Sequence, residues 1–185
     1  MEKNRCTWCI GTPLYEDYHD YEWGVAIYDD QTLFELLVLE TFQAGLSWIT
    51  ILKRRENFRQ AFDNFDYQKI TLYSENKIQA LLQDSGIIRN QLKIRGTVTN
   101  AVAFIKIQQE FGTFSSYIWQ FIDNKPIINH PRILKEVPAT SSVSDAISKD
   151  LKKRGFKFVG STIVYAYMQA IGMVDDHLAD CWKRA

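Results

Sequence analysis

Apolar residues dominate the stretch from Gln31 to Leu39, and this pattern predicts a buried helix. Six of its nine residues are large and apolar, which is too many for a helix with one face in water. Asp30, directly before the stretch, is typical of an N-cap residue. Glu40 follows it directly, so the pattern places a carboxylate at the end of a helix that we expect to be largely enclosed.

A second helix is predicted after Gly45. Ser47 is a typical N-cap residue, and apolar positions continue the helical period behind it as far as Phe62. Trp48 then lies in the first turn of this helix. Glu40 and Trp48, a charge and an indole, therefore flank one short turn.

The rest of the chain shows helical periods and no convincing strand alternation. Ser74 is expected to cap a helix that continues to Leu82, and a longer helix that contains Ile94 is expected to end at Gly112. Further helices are expected at about 117–122, 144–154 and 161–170, a loop with three prolines at 123–140, and an aromatic-rich region without regular period at 1–29. We therefore expect an all-α fold.

The composition is that of a globular protein. The chain has 185 residues, of which 46% are hydrophobic and 14% aromatic, enough for a core in one domain or a tight pair of subdomains. No apolar run approaches the roughly 20 residues that span a membrane. The first residues do not resemble a signal peptide. We expect a cytoplasmic protein without a membrane partner.

The net charge is zero, but the charges are unevenly distributed. Residues 1–50 contain nine acidic and two basic residues, so residues 51–185 carry a surplus of seven positive charges. Basic residues cluster at 53–55, 89–95 and 149–157. A local basic face is what binding to nucleic-acid phosphates requires, whatever the total charge. Solvated helix faces also carry lysines, so the charge pattern alone does not decide the partner.

Glu40 and Trp48 allow two interpretations when taken alone. A carboxylate on a mostly buried helix is costly to desolvate unless a basic side chain, backbone donors or a ligand complements it. An aromatic ring beside it can stack on a flat ligand, and more strongly on a cationic one. The pair suits a planar cation that donates hydrogen bonds. In the alternative interpretation, Glu40 pairs with an arginine and Trp48 belongs to the core.

Cysteine and histidine residues near the two ends of the chain form a candidate metal site. Cys6 and His19 lie near the start, and His177 and Cys181 lie near the end at a spacing of four. If this last stretch is helical, both of its side chains lie on one face. Two thiolates and two imidazoles favour zinc in a closed structural site. Free thiols and surface histidines are the common alternative in a cytosolic protein.

Three stretches of the chain carry a specific resemblance. They are Leu39 to Trp48, Tyr18 to Val25, and Leu151 to Thr162. Together they resemble the 3-methyladenine DNA glycosylase I family, the constitutive alkyl-purine DNA glycosylases of bacteria in the helix-hairpin-helix superfamily. The stretches lie in order from near the start to near the end, so the resemblance covers essentially the whole chain. It implies a helix-hairpin-helix glycosylase fold.

The resemblance implies an enzyme that hydrolyses the N-glycosidic bond of 3-methyladenine in double-stranded DNA with alkylated purines. It assigns to Glu40 the carboxylate that accepts hydrogen bonds from the flipped adenine, and to Tyr18 and Trp48 the aromatic walls. Tyr15 and Trp8 match nearby aromatic positions, for which core packing is the alternative. The family lacks the aspartate that follows the hairpin in related glycosylases. Residues 97–116 here contain none, which fits hydrolysis by water without strand cleavage.

The resemblance also implies how the protein contacts DNA. Gly45 and Leu46 match the tip that approaches the gap left by the flipped base. Gly86, in a turn between two predicted helices and followed by Lys93, resembles the hairpin that binds phosphate through backbone N–H groups. Thr41, with the phenylalanine after it, departs from a more polar pair common in relatives, which could alter the polarity of the pocket.

The family is known for a zinc site that fastens the N-terminal and C-terminal regions together. The ligand positions match Cys6, His19, His177 and Cys181, so the resemblance implies one structural Zn²⁺. Cys9 could replace Cys6 as a ligand, but the matching position is Cys6.

The expected organisation is a single monomeric glycosylase unit over residues 1–185. Residues 30–130 would form the helix-hairpin-helix core, and residues 1–29 and 131–185 the zinc-fastened second subdomain. Two other classes of function compete with this one: a non-catalytic zinc-containing DNA-binding protein on the same scaffold, and a zinc hydrolase. Glu40 within an aromatic pocket argues against the first, and four protein ligands would leave no open metal position for the second.

Overall fold

Helices form most of the structure. The computed structural model describes residues 3–184. Its α-helices are α1 (Pro13–Tyr21), α2 (Asp30–Gln43), α3 (Trp48–Leu52), α4 (Arg55–Ala61), α5 (Tyr67–Ile70), α6 (Glu75–Gln83), α7 (Gln91–Phe111), α8 (Phe114–Trp119), α9 (Ser142–Lys153) and α10 (Ser161–Ala170). Short 3-10 helices lie at Thr7–Cys9, Asp63–Phe65, Gln120–Ile122 and Leu134–Glu136. The all-α prediction is confirmed.

α2 lies at the centre and is enclosed, as its apolar run predicts. Residues 33–42 are all buried. Asp29, not Asp30, is the N-cap of this helix. The Asp30 carboxylate instead accepts the backbone N–H groups of Phe114 and Ser115, both at 2.8 Å. The start of α8 is thereby tied to the start of α2.

The single helix predicted from Ser47 to Phe62 is wrong, because a turn that contains Arg54 divides it into α3 and α4. The Arg54 guanidinium donates to the carbonyl oxygens of Ser85 (2.9 Å) and Gly86 (3.1 Å), in the turn before α7. A contact between segments so distant in sequence has no periodic signal, so the division could not be read from the pattern.

The boundaries of the other predicted helices agree with the pattern to within a few residues, but α1 lies in residues 1–29, for which no helix was predicted. Ser74 caps α6 through its side chain, and α7 ends at Gly112. α9 begins slightly earlier than predicted because Ser141 and Ser144 form a capping box. Within residues 3–184, no helix combines the length and the apolar character needed to cross a membrane.

Two very short strands lie where only loops were predicted. β1 (Ile127–Ile128) and β2 (Val174–Asp175) pair in parallel. Strands of two residues are too short to show alternation, so the sequence pattern could not reveal them. Their pairing leads the chain from β2 directly into Asp176 and His177, both of which are buried.

The core is continuous across the early and late parts of the chain. The Tyr167 hydroxyl of α10 donates to the Leu33 carbonyl of α2 at 2.9 Å. A smaller apolar cluster of Cys6, Leu178 and Cys181 joins the two ends of the chain. The division into two subdomains at residues 30 and 130 stays a prediction.

The backbone after the end of α10 lies close to the segment after α1, and Gly172 provides a test of this contact. Its φ is +75°, and an added Cβ would lie 2.4 Å from backbone atoms of Val25 and Ala26. Gly172→Ala should lower the free energy of unfolding by roughly 3 kcal/mol or more, because left-handed strain adds to a backbone clash. Gly155→Ala is the matched control: its φ is +96° with no atom within 4 Å of the added Cβ. Its loss should be only about 1–2 kcal/mol. Equal losses in urea denaturation would contradict this account.

Candidate active site

A cavity of about 210 Å³ opens between the N-terminal and C-terminal parts of the fold. The structure brings all five predicted base-binding residues to its walls: Trp8, Tyr15, Tyr18, Glu40 and Trp48. Trp23 also lines it, and the sequence pattern did not reveal seven further wall residues, namely Gln43, Leu134, Val137, Ala166, Gln169, Asp176 and Leu178. These come from the end of α2, the proline-containing loop, α10 and the segment after β2, and only their meeting in space marks them.

Aromatic rings form a large part of the wall. The Tyr18 and Trp48 rings are both buried and lie 5.4 Å apart between centroids, tilted by 47°. Trp8 lies 4.9 Å from Tyr15 and 5.0 Å from Trp23, edge to face. The resulting slot has the flat, apolar faces that suit a planar ligand.

Glu40 lies at the cavity without a compensating charge. It is 3% exposed, and its Oε2 atom is enclosed with no hydrogen-bond partner among the described residues. Arg55, whose side chain is 11% exposed, binds Glu35 and Glu22 at 2.6 and 2.5 Å, and no described arginine forms an ion pair with Glu40. The alternative that Glu40 pairs with an arginine is therefore wrong. Burial raises the pKa of Glu40 to about 8, so its carboxyl group holds a proton in the free protein at neutral pH.

A second buried carboxylate, Asp176, is fully satisfied. It accepts hydrogen bonds from Asn129 (2.7 Å), Tyr165 (2.8 Å) and the side-chain amide of Gln169 (2.7 Å). A carboxylate only accepts, so the amide nitrogen of Gln169 must face it. Asp176 thereby fixes the orientation of an amide in the cavity wall.

The turn between Glu40 and Trp48 protrudes from the surface. Gly45 has a φ of +83° and no atom within 4 Å of an added Cβ. Leu46, at the tip, is 41% exposed. The turn therefore presents an apolar side chain beside the cavity mouth, where the wedge was predicted.

Gly86 lies in the predicted turn between α6 and α7, but its backbone N–H is not free. It donates to the Asp84 carboxylate at 2.7 Å. An added Cβ would lie 3.1 Å from Asn57, so glycine allows close packing on α4. The backbone N–H groups of Ser85, Ile88 and Arg89 in this turn donate to no described residue, and those of Ile88 and Arg89 lie next to the start of α7.

Lys93 is not on the surface, contrary to the prediction of a direct DNA contact. Its side chain is buried, and its ammonium donates to the carbonyl oxygens of Phe42 and Ala44, both at 2.9 Å. Burial lowers the pKa of Lys93. The group therefore belongs to the structure beneath the protruding turn.

The basic clusters are partly used within the fold. Arg95 pairs with Glu75 at 2.6 Å, and Arg154 pairs with Glu110 at 2.7 Å. Within these clusters, the exposed basic residues with no ion pair to any described residue are Lys53, Arg89, Lys149, Lys152, Lys153 and Lys157. This smaller set is what the fold leaves available for phosphates.

Three of the four predicted metal ligands lie together. The candidate ligand atoms of Cys6, His19 and Cys181 all lie within 4.8 Å of one another. The Cys181 sulfur lies 3.4 Å from Nε2 of His19. Cys9 donates instead to the Cys6 carbonyl oxygen at 3.1 Å and is not part of the group.

His177 lies beside this group, although the helix assumed for its segment is wrong: the stretch to Cys181 is not helical. The ring centroid of His177 lies 5.0 Å from that of His19, and its Nε2 atom is enclosed with no hydrogen-bond partner among residues 3–184. Nδ1 of His177 bonds to Asp175 (2.7 Å), and Nδ1 of His19 bonds to Asp20 (2.9 Å). Metal-binding histidines typically have such a carboxylate on the nitrogen opposite the ligating one. The donor set therefore fits zinc.

Comparison with known proteins agrees with the geometry. Residues 8–184 match the family model described as methyladenine glycosylase. The chain belongs to this family. Its members include a DNA-3-methyladenine glycosylase 1 from Escherichia coli, 48% identical over 177 residues, 96% of this chain and 95% of that one. A DNA-3-methyladenine glycosylase from Haemophilus influenzae is 49% identical over 96% of both chains.

A solved structure of the family contains the base itself. It is a variant of 3-methyladenine DNA glycosylase I in complex with 3-methyladenine, with a TM-score of 0.94 and 35% identity over 98% of both chains. This chain therefore has the same fold as a protein whose structure was solved with 3-methyladenine bound.

The buried Glu40 carboxyl group makes stability depend on pH. The unfolded chain loses its proton near pH 4.5 and the folded chain near pH 8. Between these values the folded state holds one more proton, so stability falls as the pH rises, by up to about 1.4 kcal/mol per pH unit.

Glu40→Gln removes this dependence. The unfolding free energy of the variant, relative to the parent, should increase from pH 5 to pH 8 in urea denaturation, whatever constant cost the buried amide adds. Exposed Glu56→Gln is the control and should show no such trend. A constant difference between the Glu40→Gln variant and the parent would show that Glu40 ionises normally.

Proposed function

We propose that this protein removes 3-methyladenine from alkylated double-stranded DNA by hydrolysing its N-glycosidic bond and releasing the free base. The observation that carries the proposal is the enclosed, unpartnered carboxyl group of Glu40 in an aromatic cavity. The relatives named DNA-3-methyladenine glycosylase support the same reaction.

Access to the cavity requires that the base leave the DNA stack. Extrusion costs a few kcal/mol, and less for a damaged base. The rings of Tyr18 and Trp48 would replace the lost stacking on the faces of the purine. Leu46, at the protruding tip, would fill the gap in the duplex, as apolar side chains do in other proteins that unstack DNA.

The chemistry follows from the charge of the lesion. Methylation at N3 makes the purine cationic while it is still bonded to the sugar, so it leaves as a neutral base when the glycosidic bond breaks. A water molecule adds to the sugar carbon and releases a proton, and the enzyme needs no strong nucleophile. The rings and the Glu40 carboxyl group favour a cation over neutral adenine, which selects the lesion by charge. A cation beside Glu40 also lowers its pKa, so binding is expected to release its proton.

The proposed DNA interface combines backbone and basic side chains. The free N–H groups of Ile88 and Arg89 lie just before the start of α7, where the helix dipole favours phosphate. Exposed Lys53 and the basic residues at 149–157 extend the positive surface. We also propose that the protein acts as a monomer in the cytoplasm.

We further propose a structural zinc ion held by Cys6, His19, His177 and Cys181. The clustered thiols, the enclosed Nε2 of His177 and the two carboxylate–histidine pairs support it. When bound, zinc would fasten the N-terminal segment to the C-terminal one. Four protein ligands leave no position for a substrate, which argues against a zinc hydrolase.

The first test is release of free 3-methyladenine from methylated duplex DNA by the parent and by Glu40→Gln. The parent should release the base. Glu40→Gln should lower the single-turnover rate at least about tenfold, a loss of about 1.4 kcal/mol of transition-state stabilisation. Glu56→Gln, which removes an exposed carboxylate, should react like the parent. No release by a folded, zinc-loaded parent would favour the non-catalytic DNA-binding alternative.

Zinc analysis tests the metal proposal separately. The purified protein should contain one zinc per chain, and His177→Ala should lower both the zinc content and the melting temperature, because a ligand to a site joining both termini is lost. Cys9→Ser should keep the zinc, since Cys9 lies outside the cluster. Loss of zinc from the Cys9 variant but not from the His177 variant would give the site a different ligand set.

A further inference from the structure

Lys93 holds the protruding turn between Glu40 and Trp48 from below. Its ammonium bonds to the carbonyl oxygens of Phe42 and Ala44, and the residue is 7% exposed. These carbonyls belong to the C-terminal end of α2, where the last carbonyls have no intrahelical partner. The negative end of the helix dipole attracts a cation there. Lys93 is thus fixed by backbone oxygens, and it forms no ion pair with a described carboxylate.

The turn has few other bonds to fix it. Within residues 43–46, the described structure contains one backbone hydrogen bond, from the Leu46 N–H to the Gln43 carbonyl oxygen at 2.6 Å. Gly45 and Leu46 extend outwards. Without the ammonium, the carbonyl oxygens of Phe42 and Ala44 would bind water instead. The tip would then lose the two hydrogen bonds that join it to α7.

Lys93 also belongs to the helix that follows the proposed phosphate-binding turn. It is the third residue of α7, which begins two residues after Arg89. The free backbone N–H groups of Ile88 and Arg89 lie at this same end of the helix. One side chain therefore connects the backbone expected at the DNA phosphates to the apolar tip expected in the DNA stack.

We propose that Lys93 is a positioning residue that fixes the Leu46 tip relative to the phosphate-binding turn. DNA bound at the start of α7 then brings Leu46 to the place of the flipped base. This inference rests on the proposed function. It differs from a phosphate contact by Lys93, because the ammonium is enclosed and already bonded to two carbonyl oxygens.

The test compares Lys93→Met with Arg89→Met, which removes an exposed cation from the neighbouring turn. Three quantities are measured: the salt dependence of binding to unmodified duplex DNA, the affinity for free 3-methyladenine, and the single-turnover rate of release from methylated duplex DNA. Circular dichroism checks folding. If Lys93→Met does not fold, Lys93→Gln, which keeps a donor for the carbonyl oxygens, is measured in the same way.

For Lys93→Met we expect an unchanged salt slope, an unchanged affinity for the free base and a release rate lowered at least tenfold. For Arg89→Met we expect a salt slope smaller by about 1, the effect of one lost phosphate contact, and a release rate that recovers at low salt. Lys93→Gln keeps a hydrogen-bond donor, so its release rate should lie between those of the parent and Lys93→Met.

A double-mutant cycle with Leu46→Ala adds a readout that a purely structural role would not change. If Lys93 acts through Leu46, the double variant should lose less than the product of the two single losses. Multiplied losses, or a lowered salt slope for Lys93→Met with recovery at low salt, would overturn the inference. If the parent is active and Lys93→Met releases the base equally fast, the inference is wrong but the proposed function is unaffected. If the parent releases no 3-methyladenine, both the proposed function and this inference are wrong.

Discussion

The structure depends on the enclosure of one carboxyl group. Glu40 lies in the buried part of α2 with no ion pair to any described residue, and burial raises its pKa to about 8. An isolated carboxylate in such a place is unfavourable. Arg55 does not offset this cost, because its guanidinium binds Glu22 and Glu35. A ligand that brings hydrogen-bond donors or positive charge would offset the cost of desolvating Glu40, and this would favour its binding.

The cavity beside Glu40 can exist only when both ends of the chain are brought together. α1 contributes Tyr15 and Tyr18, and α10 contributes Gln169. The cluster of Cys6, His19 and Cys181 lies where the two ends meet, and the zinc ion that we propose would hold them there. In this account the metal acts on the reaction only by keeping the walls in place, while the chemistry depends on the charge of the lesion.

Much of the fold could be predicted, because helices leave a periodic signal. The continuous apolar run of α2 predicted its burial and placed Glu40 at its end. The pattern could not show that Lys93 is buried, since a lysine on the first turn of a helix has the same sequence appearance on the surface and beneath a turn. Its carbonyl partners lie about fifty residues away.

The candidate site was predicted in part for a similar reason. The aromatic walls lie within motifs that resemble a known family, so their roles could be inferred from the sequence. The contact between Asp176 and Gln169 depends on a pair of two-residue strands and on a hydrogen bond, neither of which has a local signature. The break between α3 and α4 was missed because Arg54 bonds to carbonyl oxygens in a distant turn.

The most direct measurement is an NMR titration of the glutamate side-chain carboxyl carbons in the free protein and in its complex with 3-methyladenine. Glu40→Gln identifies the signal. The account predicts one carboxyl group that titrates near pH 8 in the free protein, is missing in the variant and shifts when the base binds. If every glutamate of the free protein titrates near the usual value of 4.5, the enclosed carboxyl group is not desolvated. The basis for the proposed recognition of the base would then be lost.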